Sequence, residues 1–300
     1  MRIASLLPSA TEIVCALGAR AELVGRSHEC DFPAGVESVP VLTSARIGPL
    51  PSSRAIDAAV RDVLEDALAI YQIDLEGLRQ ARADLIVTQD LCDVCAVSLH
   101  DVRSAVARLA QKDVAIVNLH PMRLADIWDD LARVAEAVGR PGTGARIASD
   151  LRARVAEVAR RAAATGPRPR VLAIEWMAPV MVGGMWMPEL VTLAGGEPLV
   201  TRPGDHAPTL GPGDLAALDP EVVVVKPCGF PLARTLEEMD VLRSSLPRTW
   251  RARVYAADGN AYFNRPGPRI VESLEILAAC VHPETFPDFA RKHAPSFREV

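Results

Sequence analysis

An alternation of short apolar strands with amphipathic helices, repeated in two separate runs, is the feature that most constrains the fold of this chain. The first run has predicted strands at 2–6, 23–25, 84–88 and 114–118, and the second has them at 170–175, 221–225 and 253–256. Strands that alternate with helices in this way predict parallel sheets joined by right-handed crossovers. The sequence therefore predicts an α/β protein with two Rossmann-like lobes.

The helices are predicted from apolar residues that recur with the helical period. They fall at 54–71, 75–81, 98–111, 188–193, 213–218, 232–246 and 269–281. A first helix follows Pro8, with Ser9 predicted to cap it and Glu12 to complete a capping box. Residues 176–187 form a predicted turn rich in Met and Trp, and the tail from His282 is expected to pack loosely.

A long helical stretch at 123–166 separates the two runs, which predicts an N-terminal lobe at 1–122 and a C-terminal lobe at 167–300. The sequence Gly-Arg-Pro-Gly interrupts this stretch at 139–142. Pro and Gly disfavour the helix interior. The stretch is therefore either one rigid connector or two helices that pack together.

Charge and hydropathy exclude several partners. The formal net charge of −5 disfavours a nucleic-acid partner, which needs a basic face. No apolar run approaches the roughly 20 residues of a membrane span. The start at Met1 shows no signal-peptide pattern. We expect a cytoplasmic protein, or a periplasmic or cell-surface one if a signal peptide has been removed.

Enzyme chemistry finds little support in the sequence. Ser9, His28 and Asp31 can be written as a triad, but Ser9 lacks the nucleophile-elbow signature. No G-x-G-x-x-G loop is present for a dinucleotide. The sequence therefore predicts a protein that is not an enzyme and requires no cofactor.

The strand-to-helix turn at 88–98 carries the pair Cys92-x-x-Cys95. Three interpretations stay open for this pair: small residues that pack or approach a ligand, ligands of zinc, iron or a bound cofactor's metal, or a redox pair. Cys30 and His28 could complete a metal site with Cys92 and Cys95. His28 could also be the axial ligand of a cobalt or haem iron.

A set of motifs in a fixed order carries a resemblance that covers nearly the whole chain. These motifs are Leu-Pro-Ser-Ala-Thr-Glu-Ile at 7–13, Gly-Arg-Ser at 25–27, Cys-Asp-Phe-Pro at 30–33, Asp-Leu-Glu-Gly-Leu at 74–78, Ala-Asp-Leu-Ile-Val at 83–87, Leu-Ala-Gly-Gly-Glu at 193–197, Leu-Asp-Pro-Glu-Val at 218–222 and Arg-Pro-Gly-Pro-Arg at 265–269. With them the chain resembles the class III periplasmic-binding-protein family, which comprises the cobalamin, siderophore and haem receptors of ABC importers. It is most similar to the cobalamin-binding branch.

The resemblance implies two lobes joined by a rigid helix and one ligand held in a cleft between them. The ligand would be a cobalamin-like tetrapyrrole or another metal chelate, delivered to an ABC permease or carried in the cytoplasm. Glu76 matches one of the family's two acidic permease-docking positions. The second position falls at Gly213, where the adjacent Asp214 could substitute.

Ligand-binding residues are expected at the carboxyl ends of the strands, where α/β proteins bind their ligands. Aromatic side chains there could lie flat on a macrocycle, although they could instead pack between the lobes. The full set of predicted ligand-binding residues is Pro8, Ser9, Ala10, Thr11, His28, Cys30, Arg46, Gln89, Leu91, Cys92, Cys95, Trp176, Met177, Trp186, Phe230, Tyr262, Asn264 and Arg265. The alternative is a metal-binding or redox protein that uses Cys30, Cys92 and Cys95.

Overall fold

The computed structural model describes residues 1–65, 71–89, 99–108 and 114–300. These residues divide into two compact units. Unit 1 comprises Met1–Pro51, Ala58–Pro121 and Ala125–Ser149. Unit 2 comprises Ser52–Asp57, Met122–Leu124 and Asp150–Val300.

The first half of the chain supplies the elements of unit 1. In chain order they are β1 (Ile3–Ser5), α1 (Pro8–Ala16), β2 (Leu23–Arg26), β3 (Thr43–Ala45), α2 (Ser53–Glu65), β4 (Tyr71–Ile73), α3 (Leu75–Ala81), β5 (Leu85–Gln89), α4 (Leu99–Arg108), β6 (Ala115–Leu119), α5 (Leu124–Ala137) and α6 (Pro141–Ala163). The first residues of α2 and the second half of α6 belong to unit 2.

Unit 1 is built on a four-stranded sheet in the order β2-β1-β5-β6, and all of its pairs are parallel. Strand β5 is buried along its whole length because it is central in this sheet. Strands β3 and β4 form a separate antiparallel pair. Because the four strands are parallel, their carboxyl ends lie at one edge of the sheet.

Helix α1 begins differently from the prediction. Leu7 is the N-cap residue and Pro8 is the first helical residue, so the predicted Ser9 cap and its capping box with Glu12 are wrong. Proline suits this position because its missing N–H group would be unbonded there in any case. Gly18 ends the helix with φ at +77°, a conformation that glycine adopts without strain.

One further prediction in this half is corrected. Tyr71 was expected to end the helix that begins near residue 54, but it is the first residue of β4, where its neighbours pair with β3. Of the two alternatives left open for the helical stretch between the two runs, the structure has the divided one, because α5 ends at Ala137 and α6 begins at Pro141. Gly139 has φ at +71°, which turns the chain between them.

The second half of the chain supplies the elements of unit 2. They are β7 (Arg170–Met177), β8 (Val180–Val182), α7 (Met187–Leu193), β9 (Glu197–Pro198), β10 (Thr209–Leu210), α8 (Pro212–Ala216), β11 (Val222–Val225), α9 (Leu232–Glu237), α10 (Met239–Arg243), β12 (Arg253–Ala257), α11 (Ile270–Val281), α12 (Pro287–Lys292) and β13 (Phe297–Glu299).

The sheet of unit 2 runs β10-β8-β7-β11-β12-β13, with β9 added beside β7. Strands β7, β11 and β12 form a parallel centre, whereas β8, β10 and β13 pair in the antiparallel direction. One face packs on a core that includes Leu172, Ile174 and Val223. Helix α11, almost entirely buried, contacts both α7 and α12.

Three predictions in unit 2 are corrected. Trp176 does not begin a turn, because β7 continues to Met177 and folds back as β8. The helix expected over 232–246 is two helices, which meet at Glu238. The tail from His282 is not loosely packed, since Phe286 is fully buried and β13 pairs with β12.

The predicted fold class is confirmed: two α/β units built on parallel strands, with a helical connection. Within the parts of the chain that the structure describes, no helix has both the length and the apolar character needed to cross a membrane.

Candidate functional site

The loop after β2 is held at the carboxyl edge of unit 1 by the nearly buried Arg26. Its guanidinium donates hydrogen bonds to the backbone oxygens of Val39, Ser27, Cys30 and Glu37 over 3.0–3.3 Å. A planar group with five donors suits several carbonyl acceptors at once. Arg26 therefore fixes the segment that carries His28 and Cys30.

A buried chain of hydroxyl and thiol groups joins this loop to α1. The Thr11 hydroxyl donates to Ser5 Oγ at 2.8 Å and lies 3.1 Å from Cys30 Sγ. All three side chains are buried. The structure thus brings together two predicted ligand-binding residues, Thr11 and Cys30, but as partners of each other.

His28 stands on the same loop, half-buried beside Thr43. Its Nδ1 lies 2.8 Å from Thr43 Oγ1, and Thr43 in turn donates to Ser27 Oγ at 3.2 Å. Burial lowers the pKa of His28 below its usual value, so the neutral imidazole is favoured. The ring also lies against Tyr71, whose hydroxyl donates to Glu29 at 2.7 Å.

Buried polar atoms without partners lie near the same edge of unit 1. They are the Ser9 hydroxyl, Gln89 Oε1 and Asn118 Oδ1, none of which has a hydrogen-bond partner among the described residues. Such atoms are uncommon in folded proteins, where buried polar groups are normally bonded. They leave the edge with unused hydrogen-bonding capacity.

The carboxyl edge of unit 2 is organised around the fully buried Lys226, which follows β11. Its Nζ donates to Glu175 Oε2 at 3.0 Å and to Asn264 Oδ1 at 3.3 Å. The Asn264 amide donates back to the Lys226 and Gly259 backbone oxygens. Three segments of the edge are therefore tied together, because a buried ammonium needs both charge pairing and hydrogen bonds.

Two glycines make room for this cluster. A Cβ on Gly183 would lie 3.2 Å from Lys226 Nζ, and a Cβ on Gly259 would lie only 2.0 Å from the Pro227 oxygen. The backbone of Gly259 approaches the turn after β11 so closely that no side chain fits. Glycine at both positions thus leaves space for the Lys226 side chain to be buried.

Aromatic side chains line the same edge. Trp176 packs edge-on against Phe230 with ring centroids 5.3 Å apart, and the Arg234 guanidinium lies 4.1 Å from the Phe230 ring. Trp176 is half-buried and Phe230 is buried. Trp186 is also buried, and its indole N–H donates to the Phe263 oxygen at 2.9 Å.

The segment after β12 supplies the remaining predicted residues. The Arg269 guanidinium lies 5.4 Å from the ring of the half-buried Tyr262. Buried Arg265 donates to Asn260 Oδ1 at 3.1 Å. The position of Asn264 is explained by its hydrogen bonds with Lys226 and Gly259.

The other predicted ligand-binding residues are placed as follows. Ala10 is buried in the first turn of α1 beside the half-buried Pro8, and Arg46 is exposed. Met177 is fully buried in the core of unit 2. Leu91, Cys92 and Cys95 lie outside the described residues.

A metal site is not formed by the residues that the structure describes: no group of three or more His, Cys, Asp or Glu side chains among them could hold an ion. Cys30 contacts Thr11 and His28 contacts Thr43. A site that includes Cys92 and Cys95 stays a prediction.

The two predicted docking carboxylates are exposed and already hydrogen-bonded. Glu76 accepts from Arg79 and Gln80 on α3, and these bonds lower its pKa to about 2. Asp214 accepts from the backbone N–H of Gly211 at the start of α8 at 2.9 Å. The Glu76 carboxylate is therefore ionised, and the Asp214 carboxylate is oriented by a backbone N–H, without any partner protein.

Sequence reasoning missed Lys226, Glu175 and Arg26 as organising residues. A signal was present for the first of them, because a lysine directly follows the four valines of β11. A charge at the end of a fully buried strand needs a partner. The identity of that partner, Glu175, depends on the pairing of β7 with β11.

The site residues define a class of protein. Each unit presents hydrogen-bonding or aromatic groups at the carboxyl edge of a parallel sheet. Such groups at the carboxyl ends of parallel strands are typical of ligand-binding sites. Residues 3–250 match the family model described as periplasmic binding protein, so the chain belongs to that family. It is a substrate-binding protein and not an enzyme.

Similar proteins agree with this assignment. The vitamin B12-binding protein of Photorhabdus laumondii subsp. laumondii is 23% identical over 278 residues, covering 92% of this chain and 86% of that protein. A periplasmic heme-binding protein from Roseiflexus sp. RS-1 matches with a TM-score of 0.69 and 21% identity, covering 95% of this chain and 98% of that one. The periplasmic vitamin B12-binding protein of Vibrio cholerae matches with a TM-score of 0.66 and 19% identity, covering 93% and 96%.

Proposed function

We propose that this protein binds a cobalamin-like metal tetrapyrrole without turning it over. The observation that carries the proposal is the similarity to a vitamin B12-binding protein along 92% of the chain. The carboxyl edges of both units support it. The half-buried Trp176, packed against the buried Phe230, offers aromatic surface to a macrocycle, and the loop of His28 offers neutral hydrogen-bonding groups to its polar rim.

The test is a titration of the purified protein with hydroxocobalamin, haem and ferric siderophores, followed by absorbance and calorimetry. We expect cobalamin to bind, with a dissociation constant well below about 100 µM. Trp176→Leu should weaken that binding at least about tenfold, because it removes aromatic contact area. Phe289→Leu is the matched control, since Phe289 stacks on Phe286 in the tail. Absence of binding to any of the ligands below about 100 µM contradicts the proposal.

Haem is the second candidate ligand. It is favoured by the similar fold of the periplasmic heme-binding protein from Roseiflexus sp. RS-1. The same titration separates the two ligands. Haem binding with an axial imidazole should depend on His28, so His28→Gln would abolish the change in the haem spectrum.

We further propose that the protein delivers its ligand to an ABC permease through Glu76 and Asp214. Both are exposed, one on α3 in unit 1 and one on α8 in unit 2. Glu76→Ala and Asp214→Ala should lower ligand uptake by cells that express the permease and leave ligand affinity unchanged. Cell fractionation tests the compartment: cytoplasmic protein would favour a carrier role over delivery to a permease.

The metal alternative rests on Cys92 and Cys95, with Cys30. Metal analysis of protein purified under reducing, anaerobic conditions tests it. Stoichiometric zinc or iron that is lost in Cys92→Ser and Cys95→Ser would support a metal site. Metal-free protein of unchanged stability in both variants would count against it.

A further inference from the structure

The backbone of β7 is irregular at Glu175, on the carboxyl edge of unit 2. Ile174 pairs with Val182 and Trp176 pairs with Met181, so Glu175 is the extra residue of a β-bulge. Bulges redirect side chains and are common beside functional sites. The bulge sets the direction in which the Glu175 side chain points. Glu175 directly precedes the aromatic Trp176 in the chain.

Among the residues that the structure describes, only one oxygen of the Glu175 carboxylate accepts a hydrogen bond. Oε2 accepts a hydrogen bond from Lys226 Nζ at 3.0 Å, and this lysine is fully buried. No described residue donates to Oε1. The Glu175 side chain is 24% exposed, so the carboxylate reaches the surface of unit 2. The buried Lys226 holds it in position there.

Three features explain why the Glu175 carboxylate is held in one position. Lys226 is held by Asn264 as well as by Glu175. The backbone oxygen of Glu175 accepts from the Cys228 N–H at 3.1 Å. Gly183 leaves room for the ammonium group, since a Cβ there would lie 3.2 Å from Nζ. A carboxylate held in this way loses little conformational entropy when it binds a ligand.

An ionised carboxylate only accepts hydrogen bonds. It therefore favours a ligand that presents N–H or O–H donors and disfavours one that presents another carboxylate. A cobalamin carries neutral primary amides around its corrin ring, whereas haem carries two propionates. On the basis of the proposed function, we propose that Glu175 is a specificity-determining residue that accepts a hydrogen bond from a ligand amide and selects amide-bearing tetrapyrroles over carboxylate-bearing ones.

The test compares cyanocobalamin with its three monocarboxylic acids, in each of which one propionamide has been hydrolysed to a carboxylate. At pH 7.5, we expect the wild-type protein to bind one of these acids about tenfold to a hundredfold more weakly than cyanocobalamin, the usual range for a hydrogen bond to a charged group. This comparison needs no variant. Equal binding of all three acids and cyanocobalamin would overturn the proposal.

The double variant Glu175→Gln/Lys226→Met identifies the residue responsible. It removes both charges together, so no unpaired ammonium is left buried. A glutamine can donate to the carboxylate of the acid, so the discrimination should fall to within about threefold. Glu157→Gln is the matched control, because it makes the same change on α6, where Glu157 forms an exposed pair with Arg160. Discrimination that persists in the double variant would overturn the proposal.

The same titrations separate this proposal from the proposed function. If cyanocobalamin does not bind to the folded wild-type protein, the proposed function fails and this proposal fails with it. If cyanocobalamin binds and the acids bind equally well, only this proposal fails.

Discussion

The carboxyl edges of the two units are built from different chemistry. In unit 1 the edge has a neutral network of side chains, in which Thr11 bonds Ser5 and Cys30 and Thr43 bonds Ser27, beside the Arg26 guanidinium, which donates to backbone oxygens. In unit 2 the edge is centred on an ion pair, formed by the fully buried Lys226 and the partly exposed Glu175. The two sheets share parallel central strands, so the difference arises from the residues that follow the strands.

The two edges differ in how much their contacts contribute to the free energy of unfolding. A neutral hydrogen bond contributes about 1 kcal/mol to the free energy of unfolding, because water competes for both partners. A buried charge that loses its partner costs several times more. Substitutions at the edge of unit 2 should therefore have larger effects than substitutions at the edge of unit 1.

The largest effect is expected for Glu175→Gln. It leaves the fully buried Lys226 without a counter-charge, so the free energy of unfolding should fall by about 3–5 kcal/mol, measured by urea denaturation. Lys226→Met should cost less, because Glu175 can be reached by water. The double variant should recover most of the loss. A Glu175→Gln protein as stable as the wild type would show that Lys226 is not held by this pair.

Glu275 provides a second paired charge in unit 2. Burial alone would raise its pKa, but hydrogen bonds from His293, Lys292 and Arg154 lower the pKa to about 2. A lowered carboxyl pKa adds stability above the unfolded value of 4.5, and this stability is lost as the pH falls towards 2. Glu275→Gln should therefore destabilise the protein by about 3 kcal/mol at pH 7 and by little at pH 2.

The control for Glu275 is Glu157→Gln, which breaks an exposed pair with Arg160 on α6. We expect no measurable change in the free energy of unfolding, because water and salt screen an exposed surface pair. Equal losses in both variants would mean that burial does not strengthen the Glu275 contacts.

Asp130, in unit 1, should respond to acid with the opposite sign to Glu275. Asp130 on α5 is fully buried, and burial raises its pKa to about 6 although the Arg133 guanidinium opposes the shift. A raised carboxyl pKa destabilises the folded state above about pH 6, and the penalty is relieved as the pH falls towards 3.8. Asp130→Asn should stabilise the protein by about 2 kcal/mol at pH 7.5 and by much less at pH 4. A variant that is less stable than the wild type at pH 7.5 would contradict this assignment.

The smallest effect is expected in the neutral network. Thr11→Val keeps the shape of the side chain and removes its bonds to Ser5 and Cys30, so the free energy of unfolding should fall by about 1–2 kcal/mol. Thr209→Val is the control, because Thr209 lies on the short strand β10 and its side chain makes no described hydrogen bond. A loss at Thr11 as large as that at Glu175 would remove the distinction between the two edges.

The sequence predicted the elements whose pattern is local. Strands β5 and β11 are continuous apolar runs, and α3 begins at the N-cap Asp74, whose side chain accepts from Gly77. Such signals depend on neighbours in the chain and need no knowledge of the tertiary structure. The order of the elements then predicted the α/β class.

Features that depend on distant partners could not be predicted in the same way. Tyr71 joins β4 because β3 lies beside it, although the preceding residues have a helical pattern. Glu238 ends α9 and bonds the N–H of Ser53, which is 185 residues away. The partner of Lys226 could not be predicted for the same reason. The position of Lys226 after β11 indicated a buried charge, and only the pairing of β7 with β11 identified Glu175 as its partner.

Competitive equilibrium dialysis tests cobalamin binding and the preference for cobalamin over haem in one measurement. The wild-type protein would be dialysed against hydroxocobalamin and haemin together, and the ligand retained per chain would be measured from its absorbance. One hydroxocobalamin should be retained per chain, and an equal concentration of haemin should not displace it. Retention of haemin in its place, or of neither ligand, would contradict the proposed cobalamin binding.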